Sequence, residues 1–164
     1  MAELELSRAP GERRLYVLDG VGSIRFEGLF SRAATAESNG EQWHLVRRGI
    51  FGQRSAALDQ AGATVGQFEP RTFRRGGAIT WNGRRLSLRP SSSWRERYTL
   101  ADGETELAHF DGKAWGRRPV SVSLEEAAAN EGGLLLFVAF IVRGLAEDAG
   151  AAAGAAASTA ATGG

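Results

Sequence analysis

The sequence predicts a mainly β protein, a closed antiparallel barrel of about twelve strands around a central hydrophobic helix near the C-terminus. Two patterns predict the strands. Apolar and polar residues alternate with period two from about residue 15 to residue 124, and turn signals interrupt them every eight to twelve residues. A third observation predicts the helix, because residues 134–142 are nine apolar residues without interruption.

Each predicted strand ends at a recognisable turn. Asn39-Gly40 and Asn82-Gly83 are two-residue hairpin signals, because both positions of such a turn need a positive φ. Turns that combine Asp with Gly recur at residues 59–62, 102–103 and 111–112. The residues that follow the period of two between these turns are Ile24, Phe26, Ala34, Ala36, Trp43, Leu45, Ile79, Trp81, Leu86, Leu88, Trp94, Glu96, Tyr98, Leu107, His109, Val120, Val122 and Leu124. We therefore expect successive hairpins of one meander, whose edges are removed by a sandwich or by a barrel.

The apolar segment favours the barrel over the sandwich. As a helix it is apolar on every face, and it must then be covered on every face. A helix packed on the surface of a sandwich leaves one of its faces exposed to water, whereas a helix inside a closed barrel is covered on every face. We expect this helix near residues 134–146, with Leu134, Phe137, Phe140 and Ile141 in its core. Two alternatives stay open: a pair of further strands, and a tail-type membrane insertion, although a spanning helix needs roughly 20 residues.

One domain accounts for the 164 residues. We expect the barrel to occupy residues 1–147. Residues 149–164 are almost all Ala, Gly, Ser and Thr, so no large side chain is available for docking. We therefore expect a disordered tail over residues 148–164. The first residues contain no apolar stretch of the kind that a secretory signal needs.

Four segments carry a resemblance to a known family. They are residues 23–30 (SIRFEGLF), residues 43–51 (WHLVRRGIF), the hairpin that contains Asp59, Gly62, Val65, Gly66 and Phe68, and the apolar residues 134–142. On these segments the chain resembles the tubby C-terminal-like superfamily, and within it the LURP-one-related proteins and their bacterial relatives. The resemblance covers most of residues 14–147. It implies a twelve-strand barrel around a hydrophobic C-terminal helix.

The resemblance also implies a class of activity. In the tubby branch, basic residues on the barrel bind phosphoinositide headgroups. Those positions cannot be matched residue by residue in this sequence. The resemblance therefore implies a class of activity for this chain but no particular binding residues.

Composition excludes several kinds of chemistry. The chain has no Cys, which excludes disulfides, thiolate zinc sites, iron–sulfur clusters and a Cys nucleophile. Its two histidines, His44 and His109, lie within strand patterns, and no Gly-x-Ser-x-Gly elbow is present. We interpret both as packing or surface residues. We expect no catalytic residue, no metal site and no cofactor.

The charge of the chain is unevenly placed. The formal net charge is +1, but residues 41–118 contain 14 basic and 8 acidic residues, and both flanking segments are acidic. Only Lys113 among the 20 basic residues is a lysine, which we attribute to a GC-rich genome. The candidate anion-binding residues cluster around the hairpin at Ile79 and Trp81; they are Arg71, Arg74, Arg75, Arg84, Arg85 and Arg89.

Two interpretations of this cluster stay open. It is a solvated strand face whose arginine stems cover apolar surface, or a docking patch for phosphate groups. Trp81, Trp94 and Trp115 could stack on nucleic-acid bases, but aromatic strand residues are usually in a core, where we expect them.

These observations predict a non-enzymatic barrel that binds anionic lipid headgroups or a membrane surface through a basic, Arg-rich face. The alternative is a protein-interaction or small-ligand-carrying module. Nucleic-acid binding is a weaker alternative. We expect a cytoplasmic monomer, peripheral at the membrane where it meets anionic lipid.

Overall fold

A computed structural model describes residues 1–28, 32–49, 54–72 and 75–162, with side chains of the helix described as far as Thr159. Twelve antiparallel strands close into one barrel in chain order, because β1 pairs with both β2 and β12. The predicted fold class is confirmed. The strands are β1 Ala2–Arg8, β2 Leu15–Leu18, β3 Gly22–Phe26, β4 Ala33–Ser38, β5 Glu41–Arg48, β6 Arg54–Leu58, β7 Thr64–Pro70, β8 Gly77–Trp81, β9 Arg84–Pro90, β10 Glu96–Asp102, β11 Thr105–Gly112 and β12 Val120–Leu124. A 3-10 turn, Glu126–Ala128, precedes the helix α1, Gly132–Thr162.

The two Asn-Gly hairpins are confirmed. Asn39 and Gly40 join β4 to β5 with φ of 51° and 79°, and Asn82 and Gly83 join β8 to β9 with φ of 50° and 79°. Both central residues therefore occupy the left-handed region that a primed hairpin turn requires. The turn at Asp59 uses its side chain instead, because Oδ1 accepts the backbone N–H groups of Ala61 at 3.0 Å and Ala63 at 2.9 Å.

The helix α1 fills the barrel. Every residue from Leu134 to Val142 is at most 3% exposed, including the four predicted core residues. Its aromatic side chains stack on the barrel wall: Phe137 on Trp81 at 5.7 Å and Phe140 on Phe26 at 6.2 Å between ring centroids. The apolar segment is thus an internal helix, and the alternatives of further strands and of tail insertion are not realised.

Glycines let the helix pass close to the wall at both ends of the barrel. A Cβ at Gly133 would lie 2.7 Å from the ring of Trp43, and a Cβ at Gly112 would lie 2.8 Å from Val142 Cγ1. Real Cβ atoms do not approach so closely in a packed interior. These positions therefore favour glycine for lack of space, not for backbone conformation.

The structure differs from the expectation at the C-terminus. The sequence predicts a helix near residues 134–146 and a disordered tail over residues 148–164, but α1 continues to Thr162. Residues 151–159 are all exposed, so no packing holds this part. Ala has the highest helix propensity of any residue, and extending an existing helix avoids the cost of nucleation. Gly150 and Gly154 are too few to end it.

Substituting an aspartate for a buried helix residue tests the internal position of α1. We expect Phe137→Asp to unfold the barrel, because it removes a core aromatic worth about 3–5 kcal/mol and buries an unpaired charge. Ala153→Asp, in the exposed part of α1, is the matched control and should melt close to wild type. Thermal unfolding followed by circular dichroism measures both. Unchanged melting of Phe137→Asp would contradict an internal helix.

Candidate functional site

The antiparallel topology sends the connections to two opposite ends of the barrel. Connections after odd-numbered strands lie at one end, called here the loop end; their described residues are 9–14, 27–28, 32, 49, 71–72, 75–76, 91–95 and 113–119. Connections after even-numbered strands lie at the other, called the turn end, and comprise residues 19–21, 39–40, 59–63, 82–83, 103–104 and 125–131. The helix α1 begins at the turn end and leaves through the loop end.

Charge segregates between these two ends. The turn-end connections contain six acidic residues and no basic one: Asp19, Asp59, Glu104, Glu125, Glu126 and Glu131. The described residues of the loop-end connections contain nine basic residues and two acidic ones, Glu12 and Glu27. A chain of net charge +1 thus folds into a barrel with one basic end and one acidic end.

The basic charge is concentrated on half of the loop end. Three consecutive connections, residues 71–76, 91–95 and 113–119, contain no acidic residue in the sequence. We call this surface the basic half-rim. Its described basic residues are Arg71, Arg75, Arg95, Lys113, Arg117 and Arg118. The other half of the loop end contains both Glu12 and Glu27.

Most cations of the basic half-rim have no partner. Arg71, Arg95, Lys113 and Arg117 are exposed, and none has a side-chain ion pair or hydrogen bond within the described part of the chain. Arg118 forms an exposed pair with Glu5 at 3.1 Å. Acidic residues at the adjoining strand ends form ion pairs with other arginines, as in the pairs Arg97–Asp111 and Arg54–Glu69. Most of the positive charge described on the half-rim is therefore not neutralised by an acid within the described residues.

Arg75 is the exception, because it organises the half-rim. Its guanidinium donates to the carbonyl of Arg95 at 2.9 Å, to the carbonyl of Ser92, and to Glu96 at 3.1 Å. The other oxygen of Glu96 accepts the hydroxyl of Tyr98. Burial, together with the hydrogen bond to Glu96, raises the pKa of Tyr98. Arg75 thus ties the 71–76 connection to the 91–95 connection.

The structure separates the six predicted anion-binding arginines. Arg71 and Arg75 lie on the basic half-rim, whereas Arg74 lies outside the described residues. Strand β9 carries the other three: Arg84 is its first residue, at the turn end, and Arg85 and Arg89 follow toward the loop end. Arg89 donates to the carbonyl of Gly103 at 3.0 Å, and Arg85 is exposed on the wall.

Arg84 forms two ion pairs that join separate parts of the chain. It lies 2.6 Å from Glu131 and 2.9 Å from Asp102, and the hydrogen bond to Glu131 is the largest of the effects that raise the pKa of Arg84. It closes the turn end where the chain enters α1. Nearness in sequence did not bring the six residues together, because β9 carries the chain from one end of the barrel to the other.

The tryptophan prediction is wrong for two residues of three. Trp81 is in the core as expected, but Trp94 is 94% exposed and Trp115 is 78% exposed. Trp94 follows the strand period in the sequence, yet β10 begins only at Glu96. Both residues stand on connections of the basic half-rim, and the Gly and Ser around them are the sequence signal that indicates a loop.

Two arginines hold α1 where it leaves the barrel. Arg47 of β5 pairs with Asp148 at 2.5 Å. Arg143 of α1 pairs with Glu147 at 3.2 Å, and its guanidinium lies over the rings of Phe26 at 3.9 Å and Tyr16 at 4.9 Å. These contacts give both residues structural roles, and the sequence offered no signal for the pairing of Arg47 with Asp148.

The histidines lie on the barrel wall. His44 Nδ1 is 3.3 Å from Glu27, and His109 lies 3.0 Å from the hydroxyl of Thr99 and 3.3 Å from Glu106. Hydroxyl, imidazole and carboxylate are the parts of a nucleophilic triad. However, Thr99 is only 8% exposed, and its backbone pairs with strands on both sides, which removes the N–H groups an oxyanion would need. We interpret the row as a cross-strand hydrogen-bond network.

No family model matches the chain, and no curated protein and no solved structure is significantly similar to it.

The described residues contain no helix that combines the length and the apolar character that crossing a bilayer demands. They also contain no group of three His, Asp or Glu side chains placed to hold a metal ion.

Removing the fork of Arg75 tests its role as the tie between two connections. We expect Arg75→Met to lower the free energy of unfolding by about 1–3 kcal/mol, because it leaves Glu96 without its cation and two carbonyls without a donor. Arg71→Met, on the same connection, is the matched control and should change it by less than about 0.5 kcal/mol. Urea unfolding measures both. Equal effects of the two variants would contradict the role.

Tyr98 makes stability depend on alkaline pH. Its pKa is higher in the folded than in the unfolded chain, so the unfolded chain loses this proton first as pH rises. The contribution is complete below about pH 10, the ordinary tyrosine value, and is lost as pH rises further. We expect the free energy of unfolding to fall between about pH 10 and pH 11, and to fall less steeply in Tyr98→Phe. Urea unfolding across this range measures the slopes, and identical slopes would refute the prediction.

Proposed function

We propose that this protein is a non-enzymatic barrel that docks on anionic membrane surfaces through its basic half-rim. The observation that carries the proposal is the segregation of charge. Unpaired cations gather on three neighbouring connections without an acid among them, while acids occupy the opposite end. Such a molecule is oriented by a negative surface before it touches it. Each Lys or Arg close to an anionic bilayer contributes about 1 kcal/mol.

The filled barrel supports a surface function over a ligand-carrying one. Helix α1 occupies the interior with apolar side chains that are at most 3% exposed. A small apolar ligand would have to displace the helix and the stacking of Phe137 on Trp81. The accessible chemistry lies on the outer wall and at the two ends.

The resemblance to the tubby C-terminal-like superfamily supports the same proposal. The closed twelve-strand barrel with an internal helix agrees with the architecture that this resemblance implies. We therefore place the chain with the LURP-one-related proteins as a proposal. The cytoplasmic leaflet carries the anionic lipids of a cell, so peripheral binding to that leaflet is the proposed location.

Vesicle cosedimentation with charge-reversal variants tests the function. The wild-type chain should bind vesicles that contain phosphatidylserine and not neutral phosphatidylcholine vesicles, with affinity falling as salt rises. The triple variant Arg71→Glu, Lys113→Glu, Arg117→Glu should bind about 100-fold more weakly, on about 1 kcal/mol for each lost cation.

A variant with the same net charge isolates the placement of the cations. Arg13→Glu, Arg32→Glu, Arg48→Glu changes three exposed arginines outside the basic half-rim. It should retain most of the binding. Equal loss in both triple variants would contradict a role specific to the half-rim. Equal binding of wild type to neutral and anionic vesicles, or binding to a single-stranded oligonucleotide and to neither vesicle, would overturn the function.

A further inference from the structure

Both fully described tips of the basic half-rim expose a tryptophan. Trp94 stands on the 91–95 connection and Trp115 on the 113–119 connection. These connections are neighbours around the barrel, and with strands about 4.8 Å apart their bases lie roughly 10 Å from each other. The other exposed large apolar side chains of the described residues, Met1 and Val17, lie away from this surface. The two largest exposed rings of the described chain therefore stand on neighbouring connections, among cations that have no partner in the described residues.

The connections hold these two tryptophans in place. Ser92 Oγ accepts the backbone N–H of Trp94 at 3.3 Å and that of Arg95 at 3.1 Å, and Arg75 fixes the same connection from below. Trp115 lies where α1 passes: a Cβ at Gly150 would lie 2.7 Å from Ala114 and 3.8 Å from the ring of Trp115. Both exposed rings therefore stand on backbone that hydrogen bonds or packing against α1 hold in place.

Their setting fits a bilayer interface. An indole ring has an apolar body and one N–H donor, and it partitions to the level of the headgroups. Exposed rings on connections can enter a fluid surface, whereas a protein partner would need a pocket shaped for each. The surrounding cations match lipid phosphates at the same depth.

The part of helix α1 that lies outside the barrel carries no charge. The helix leaves the barrel beside Trp115, and residues 149–162 contain no charged side chain. Its approach to the headgroups therefore desolvates no charge.

We propose that Trp94 and Trp115 are interfacial anchors that insert into the headgroup layer and hold the basic half-rim against an anionic bilayer. The inference rests on the proposed function and divides it into two parts. The cations bring the protein to the surface and depend on salt, whereas the tryptophans retain it there and do not. Because both rings lie on one half of the loop end, the barrel docks tilted toward β9–β12.

Tryptophan fluorescence with brominated phosphatidylserine vesicles tests the anchors in the full chain. Bromine should quench the wild-type emission. In the double variant Trp94→Ser, Trp115→Ser the remaining Trp43 and Trp81 lie on the turn-end halves of their strands, so quenching should disappear. Vesicle affinity should fall at least about tenfold, because part of each ring's apolar area leaves the interface. Its salt dependence should stay unchanged.

Val17→Ser is the matched control, because it removes an exposed apolar side chain from the wall. It should leave affinity and quenching at the wild-type level. If wild type binds anionic vesicles and the double variant binds equally well, the anchors are refuted while the proposed function stands. If wild type binds no anionic vesicle at low salt, the proposed function fails and the anchors fail with it. Quenching by a single-stranded oligonucleotide without vesicle binding would also overturn the inference.

Discussion

The burial of a helix that is apolar on every face is the constraint on which the rest of this structure depends. Residues from Leu134 to Val142 present no polar side to water, so nothing less than a closed wall can cover them. Closure in turn removes sheet edges, which twelve short strands would otherwise expose. Helix α1 in turn occupies the barrel interior with residues that are at most 3% exposed from Leu134 to Val142. Any chemistry directed at a partner must therefore lie on the wall or at the two ends.

The same closure turns a sequence pattern into a spatial one. In an antiparallel meander, successive connections alternate between the ends, so acids and bases placed on alternate connections become opposite poles. The surplus of basic residues between 41 and 118 reflects this separation of charge only in part. The range 41–118 leaves out Arg13 and Arg14, which lie at the loop end. It includes Asp59 and Glu104, which lie at the turn end. Assigning each connection to an end would have revealed the polarity from sequence alone.

Local rules explain why the fold was predictable and the site was less so. Period-two alternation, two Asn-Gly turns and one apolar run each depend on neighbouring residues, and all three predict the barrel. The pairings of Arg47 with Asp148 and of Arg84 with Glu131 span 101 and 47 residues, and no local rule reports them. The end of α1 was missed for another reason, because an Ala-rich segment is judged disordered by itself but helical when a buried helix precedes it. Exposure of Trp94 depended on where β10 begins, a matter of two residues.

Arginine serves two purposes in this chain, and its acceptors distinguish them. Arg75 and Arg84 each have acceptors that use the fork of the guanidinium, and both join segments distant in sequence. Arg71, Arg95 and Arg117 are exposed on the basic half-rim without such acceptors in the described structure. Composition cannot separate the two groups, because both are the same residue. What distinguishes the proposed docking surface is therefore not the number of arginines but their lack of partners where the fold supplies no acid. That condition is met on the basic half-rim, beside the two exposed tryptophans.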